Sequence, residues 1–499
     1  MSNQGTFFGH PRGLATLFLT EMWERFTFYG MRAVLILFLV ATVAAGGLGL
    51  DDKTAAAIYG LYNAGVYLAC LPGGWVADRL IGAQRAVMVG GLAITLGNTL
   101  LAISTGPKGF YLGLVVIVIG VGLLKPNVSA IVAGLYPEGG ARLDSAFTIF
   151  YIGINVGAAL GPLVIPLAQL YFGLRAGFGV GAVFMILGVL QFYLTRKYLG
   201  DSGLHPAPIH AAGSATAVVP RSKQWLRLWI GVGAVALVLA AVTFGWIPID
   251  PLRVAQSASY LIVGMAVLYF AYFFIVADLT PEERKRGVVL VVLFIGCVLF
   301  FSGFEQAGSS LNLFADRYTD RMVGWLHFLI PTGWFQSLNS LFIILFAPFF
   351  AWGWIALARR NLNPSAPAKF AIGVMLMGSG FLVMATAAAV VASGSHVLPY
   401  WLIMTYLLHT FGELCLSPVG LSYYTKLAPK RFVGQMMGMW FLATSLGNLV
   451  AGLIAGDFDA NNVAAMPGQY MHIVYFSVGL GAVLLILSRP VKKLMGNVK

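Results

Sequence analysis

Residues 14–42 read LATLFLTEMWERFTFYGMRAVLILFLVAT. About 20 mainly apolar residues cross a bilayer as a helix, and this run exceeds that length. It follows a polar start and is too long for the apolar core of a cleavable signal peptide, so it reads as an internal signal anchor. Yet it carries Glu21, Glu24, Arg25 and Arg32. A charge at the bilayer centre costs at least about 2.5–3.5 kcal/mol on insertion scales. Four ionisable groups on one spanning helix therefore line a wet cavity or pair with other helices. Glu21, Arg25 and Tyr29 are spaced by four and share a face, and Arg32 lies two turns beyond Arg25. Two other readings stand beside the cavity. Glu21–Arg25 is a structural ion pair that fixes helix packing, or the helix starts later and leaves Glu21 among headgroups.

The whole chain has the same character. Of its 499 residues 59% are hydrophobic and 10% charged, against about 25% charged in soluble proteins, and mean hydropathy is +0.84. So few charges cannot cover a soluble surface, which excludes a cytosolic enzyme, a secreted disulfide scaffold and a disordered protein. The net charge of +13 would point to nucleic acid in a soluble chain. Here Lys and Arg lie mostly at the ends of apolar runs, where they set topology and meet anionic headgroups. Cys70, Cys297 and Cys415 sit singly in apolar runs without metal-ligand spacing, as small buried residues do.

Candidate spans fall at 14–42, 54–77, 84–105, 109–131, 145–171 and 176–197, then 225–247 and 256–278, then 287–312, 326–355, 370–392, 399–425, 433–456 and 471–490. Threaded alternately, they put Arg79, Arg85, Arg142, Arg196, Lys197, Arg284, Arg359, Lys430 and Lys492 on one side. That bias places both termini in the cytoplasm. Segment 201–224 is rich in Pro, Ala, Gly and Ser and reads as a linker; residues 281–286, PEERKR, form a second. The expected architecture is all-α and integral to the membrane: a six-helix bundle in 1–200, a linker and inserted hairpin in 201–286, and a second six-helix bundle in 287–499.

Three further charges fall inside spans. Lys125 precedes Pro126, and a proline inside a spanning helix frees a carbonyl that neighbours must satisfy; the lysine lines a cavity or snorkels to an interface. Glu305 and Glu413 have no base within one turn. Cations in the leading half (Arg25, Arg32, Lys125) and acids in the trailing half (Glu305, Glu413) can pair across a central interface. A low-dielectric site favours the neutral form of an acid, so such a constellation can link proton uptake to rocking of two bundles. His409, one turn before Glu413, is a relay or a packing residue. Asn155, Asn339, Ser417 and Tyr67 are pocket groups or interhelical glue; Trp440 alone reads as packing or an interfacial anchor. The sequence has no P-loop, H-E-x-x-H, G-x-S-x-G or Cys/His metal spacing. An enzyme and an ATP-driven pump are therefore disfavoured, and energy would come from an ion gradient.

The stretch Glu21-Met22-Trp23-Glu24-Arg25-Phe26-Thr27-Phe28-Tyr29-Gly30 resembles the ExxERFxYYG signature of the proton-dependent oligopeptide transporters, members of the major facilitator superfamily. Phe150-Tyr151-Ile152-Gly153-Ile154-Asn155-Val156-Gly157 resembles their FYxxINxG motif, and Gly412-Glu413-Leu414-Cys415-Leu416-Ser417-Pro418-Val419-Gly420 their GExxxSPxG block. Asp78-Arg79 with Arg85 resembles the superfamily's loop between its second and third helices. The likeness covers nearly the whole chain, and the six-two-six layout (14 transmembrane helices) resembles bacterial members.

The resemblance implies the major facilitator fold and a proton-coupled symporter that imports di- and tripeptides by alternating access. No cofactor is implied beyond protons as coupling ion. The implied location is the cell inner (plasma) membrane, in lipid, with no nucleic-acid partner and a functional monomer. It implies proton coupling by Glu21, Glu24 and Arg25 with Lys125. Arg32 and Lys125 would face the peptide carboxylate and Glu413 its amino group. Arg32–Glu305 and Lys125–Glu413 would be gating pairs. Tyr29, Tyr67, Tyr151, Asn155 and Asn339 would line the pocket, with Ser417 and Trp440 near it. Two positions depart from the pattern. Gly60 stands where animal members carry a His, after Tyr59, so carboxylates must accept the proton. Phe28 replaces the first tyrosine of the YYG signature. Rival readings keep the fold for another small solute, nitrate or amino acids, or make the chain a non-translocating peptide receptor; Glu413 argues against an anion-only site.

Overall fold

The computed structural model describes residues 6–138, 140–206, 221–243, 246, 250–458 and 462–496. Of the expected linker 201–224, residues 207–220 lie outside the described residues, as do 244–245 and 247 of the span at 225–247. The helices, in chain order, are α1 (Arg12–Val40), α2 (Asp52–Val76), α3 (Ala83–Ile103), α4 (Pro107–Gly134), α5 (Gly140–Phe172), α6 (Ala176–Thr195), α7 (Arg221–Thr243) and α8 (Pro251–Ile275). They continue with α9 (Pro281–Phe304), α10 (Ser310–Tyr318), α11 (Trp334–Arg359), α12 (Ala366–Ala392), α13 (Tyr400–Leu427), α14 (Val433–Ala455) and α15 (Met466–Leu494). Among the described residues, 12 spans are long and apolar enough to cross a membrane, with α9 and α10 counted as one. The charged helix α1 and the hairpin helix α7 complete the expected series.

Three expectations are corrected. The helix expected over 287–312 breaks into a 3-10 turn at Glu305–Gly308 and resumes as α10; a buried acid sits at the break, where backbone groups can leave the ladder because protein surrounds them. The span expected from 326 begins at Trp334. Before it, Met322–Val323 (β1) pairs antiparallel with Phe328–Leu329 (β2), a turn that apolar composition alone disguised as helix. And α1 starts at Arg12, which removes the reading with a late helix start.

The chain divides into two compact units. One holds the residues up to Met31 with Gly65–Asp250; the other holds Arg32–Ala64 and everything from Pro251. The divisions fall inside α1, inside α2 and just before α8.

In the first unit, glycine lets helices touch backbone to backbone, the main route to close packing where lipid gives no hydrophobic drive between helices. Gly90 and Gly97 of α3 face Gly120 and Gly113 of α4: a Cβ on Gly97 would lie 2.7 Å from the Gly113 carbonyl, and one on Gly120 2.7 Å from the Gly90 carbonyl. On α5, Gly157 and Gly161 lie against the Met22 and Phe26 carbonyls of α1. The last residue of the FYxxINxG motif thus seats α5 beside the α1 turn that bears Glu21 and Arg25.

In the second unit, α12 packs against α13 and α15, and α14 against α9. A capping box starts α9: the Glu283 N–H donates to Thr280 Oγ1 at 3.3 Å and the Thr280 N–H to Glu283 Oε2 at 2.9 Å. Gly60 of α2 lies on Gly452 of α14, where a Cβ would fall 3.1 Å from the Gly452 Cα and 3.2 Å from the Asn448 carbonyl. The departure at Gly60 therefore has a steric cause: here a histidine has no room.

That contact yields a stability test. Gly60→His should lower the melting temperature in detergent by an amount equivalent to about 1–3 kcal/mol. Gly479→Ala, where a Cβ meets nothing within 4 Å, should melt at or above the unaltered protein. Equal melting of both variants would refute the steric account.

Candidate functional site: two buried charge clusters

The first unit buries three charges on consecutive turns of α1. Glu24 is 0% exposed, Arg25 2% and Glu21 3%. Arg25 Nε stands 3.3 Å from Glu21 Oε1 and pairs with Glu24 Oε2. Its guanidinium lies over the Phe28 ring at 5.0 Å and the Tyr29 ring at 5.9 Å, so Phe28 keeps the aromatic contact while lacking the hydroxyl of the family pattern. The structural ion pair is thus present, together with a second acid that such a pair does not require. Glu21 Oε2, Glu24 Oε1 and Arg25 Nη2 are buried with no hydrogen-bond partner among the described residues. Orphaned charged atoms are expensive in a dry interior, which marks this as a place where water, a proton or a moving cation completes the set.

Lys125 is half-buried on α4. Its Nζ lies over the Tyr67 ring of α2 at 4.2 Å, and no carboxylate stands within ion-pair distance among the described residues. Pro126 follows it inside the helix and removes the bond that would return to the Gly122 carbonyl. On α5, Asn155 is buried and its Nδ2 donates to the Tyr151 carbonyl at 2.9 Å; Tyr151 itself is exposed.

The second cluster centres on Arg32, 5% exposed. Its Nη2 stands 2.6 Å from Glu305 Oε2, and its Nε donates to Tyr59 Oη at 2.5 Å. Glu305 sits at the turn that breaks α9. That turn ends in Gly308, where any Cβ would strike the Tyr59 hydroxyl, so the glycine makes the space in which tyrosine meets arginine. Around the pair, Asn312 Nδ2 donates to the Ala33 carbonyl at 2.8 Å, Ser445 Oγ to the Ala64 carbonyl at 3.0 Å, and Tyr406 Oη to the Ala307 carbonyl at 3.1 Å. Farther along, Arg317 grips Asp52 with both guanidinium nitrogens at 2.5 and 2.7 Å. Four of these links, Arg32–Glu305, Asn312–Ala33, Ser445–Ala64 and Arg317–Asp52, tie α1 and α2 to the turn after α9, to α10 and to α14.

Glu413, half-buried on α13, accepts from Asn339 Nδ2 of α11 at 2.8 Å; the same nitrogen stands 3.2 Å from Thr410 Oγ1. The structure thereby joins two residues that the sequence had named separately. Ser417 Oγ is buried with no hydrogen-bond partner among the described residues. Trp440 is buried between Phe301 and Tyr424, with ring centroids 6.3 and 5.4 Å away. His409 packs between Phe304 and Phe381 at 6.4 and 5.0 Å, in keeping with a packing role. Lys125 and Glu413 fall in different units.

Sequence reasoning assigned no role to Tyr59, Tyr406, Gly308 or the Asp52–Arg317 pair. Asp52 and Arg317 lie near the ends of apolar runs 265 positions apart, where charge alone names no partner. A lone tyrosine in an apolar run gives no periodic signal. Gly308 is legible only as part of the break beside Glu305.

The Arg32–Glu305 pair can be tested by a double-mutant cycle. Arg32→Gln or Glu305→Gln alone should destabilise the purified protein by about 3–5 kcal/mol, because each strands a buried charge, while the double variant should recover most of that loss. Additive losses would refute the pairing. Tyr59→Phe should cost about 1–3 kcal/mol with Glu305 intact.

A family model described as the POT family matches residues 84–471. The chain is 44% identical to the peptide transporter YePEPT of Yersinia enterocolitica over 503 residues, covering 99% of this chain and 96% of that one. It is 35% identical to a di-/tripeptide transporter of Lactococcus lactis subsp. cremoris, covering 99% and 98%. A crystal structure of a mutant of the peptide transporter POT in complex with alafosfalin superposes with a TM-score of 0.89 at 39% identity, covering 99% of this chain and 98% of that one.

Proposed function

Because the chain belongs to the POT family, we propose that it is a proton-coupled symporter that imports di- and tripeptides by alternating access. The observation that carries this reading is the pair of buried charge clusters, Arg25 with Glu21 and Glu24, and Arg32 with Glu305, each beside uncharged aromatic groups. A short peptide is a zwitterion with variable side chains. Fixed charges for its ends and a neutral wall for its middle give broad selectivity. Arg32 and Lys125 are the groups for the carboxylate, and Glu413, already hydrogen-bonded by Asn339, is the group for the ammonium. Tyr29, Tyr67, Tyr151, Asn155, Ser417 and Trp440 complete the wall.

Protonation supplies the coupling. Neutralising Glu305 removes the ionic hold on Arg32 and leaves the neutral Tyr59 hydroxyl against its Nε. Neutralising Glu24 or Glu21 frees Arg25 in the same way, with Lys125 as the competing cation. Lys125–Glu413 is the second gating pair in this scheme. A peptide held by charges from both halves favours the closed state only through its differential affinity for that state. The charge bias places both termini in the cytoplasm of a bacterial inner membrane, and each chain holds both clusters, so a monomer suffices.

Purified protein in proteoliposomes should take up dialanine and trialanine when an inward proton gradient is imposed, and tetra-alanine poorly. Glu24→Gln should abolish gradient-driven uptake yet leave peptide exchange measurable. Unchanged driven uptake would refute the coupling role; competition by nitrate or single amino acids instead of peptides would favour another solute.

A further inference from the structure

The second unit carries a basic surface apart from both charge clusters. The first two turns of helix α9 carry Arg284, Lys285 and Arg286 after Glu282 and Glu283, and the last two turns of α15 carry Arg489, Lys492 and Lys493. The two helices pack together. Their basic ends meet: a Cβ on Gly496, just past α15, would lie 3.9 Å from Arg286 Nη2. Arg286 is within 3.6 Å of Glu282. Arg284, Lys285, Arg489, Lys492 and Lys493 are exposed, and none has an ion-pair partner among the described residues.

These cations cap apolar stripes. On α9, Arg284 is four residues before Val288, which is 43% exposed, and Ile295, 48% exposed, lies two turns further on the same side. On α15, Phe476, Val483 and Ile486 are 61%, 48% and 74% exposed, and the stripe runs on through Arg489 to Lys493. Each helix thus offers a bare hydrocarbon track that ends in several unpaired positive charges. A free phosphate would use only the charges. A lipid with an anionic headgroup uses both parts.

We propose that the paired ends of α9 and α15 form a binding site for a diphosphate phospholipid of the cardiolipin type. Two capped stripes on neighbouring helices match two phosphates joined by a short bridge, with acyl chains laid along each stripe. Cations near a membrane surface each add roughly a fivefold gain in affinity for anionic lipid.

The test uses the full-length protein purified in detergent. Cardiolipin should raise its melting temperature and remain bound in native mass spectra. Phosphatidylglycerol should act more weakly, and phosphatidylcholine or inorganic pyrophosphate should have no effect. The variant Arg489→Gln/Lys492→Gln/Lys493→Gln should lose cardiolipin affinity on the order of a hundred-fold. Arg196→Gln/Lys197→Gln, which removes two exposed cations of the first unit, should keep it. Equal lipid retention by the two variants, or an equal response to pyrophosphate, would overturn the proposal. If the triple variant expresses poorly, Arg284→Gln/Lys285→Gln gives the same reading from the other helix.

Discussion

A charge buried among hydrocarbon must have a partner, and the Arg32–Glu305 contact is where this chain meets that demand most fully. Neither residue is tolerable alone at such depth. The desolvation cost of each ion amounts to several kcal/mol, and their mutual attraction offsets it only with good geometry and further hydrogen bonds. Tyr59 supplies one, and the break in α9 brings Glu305 into reach. The neighbouring links, Asn312 to Ala33 and Ser445 to Ala64, hold the backbone segments that carry the pair. An interaction so dependent on one carboxylate's charge is inherently switchable, because adding a single proton removes the attraction but leaves the arginine's cost in place.

Glycine is what makes these placements physically available. Helices that meet through side chains keep their axes roughly 8–10 Å apart, whereas Gly157 and Gly161 admit α1 backbone directly against α5, and Gly60 admits α14 directly against α2. Close approach brings short polar side chains within reach of a neighbouring backbone. Gly308 goes further, since what it accommodates is a hydroxyl aimed at a guanidinium. The small residues and the charges therefore form one design: the former set the distances at which the latter can pair.

Much of this was legible in the sequence because lipid imposes such a narrow rule. Apolar length located the spans, and the cost of charge singled out Glu21, Glu24, Arg25, Arg32, Lys125, Glu305 and Glu413. What composition could not supply was local backbone geometry. The break at Glu305–Gly308 and the β1–β2 turn lie in apolar stretches whose hydropathy looks like uninterrupted helix. Partner identity was equally hidden. Asn339 and Glu413 are 74 positions apart, and Arg32 and Tyr59 lie on helices whose periodicity says which face is polar but not which neighbour it meets. By chain position, cations and acids were expected to divide between the two halves. By contacts, however, Arg32 groups with Glu305 in the second unit.

That grouping bears on how coupling can work at all. Arg25 and Arg32 are two turns apart on one continuous helix, about 10 Å along its axis, yet their partners belong to different compact units. In the proposed mechanism, the hold on Arg32 and the hold on Arg25 act on one helix, with no chain of intermediate side chains needed between them. The coupling path in the proposed mechanism is then α1 itself. The signature that identified the family places acid, base and aromatic residues along this one rod because charges fixed to a single rigid element need no further wiring to respond together.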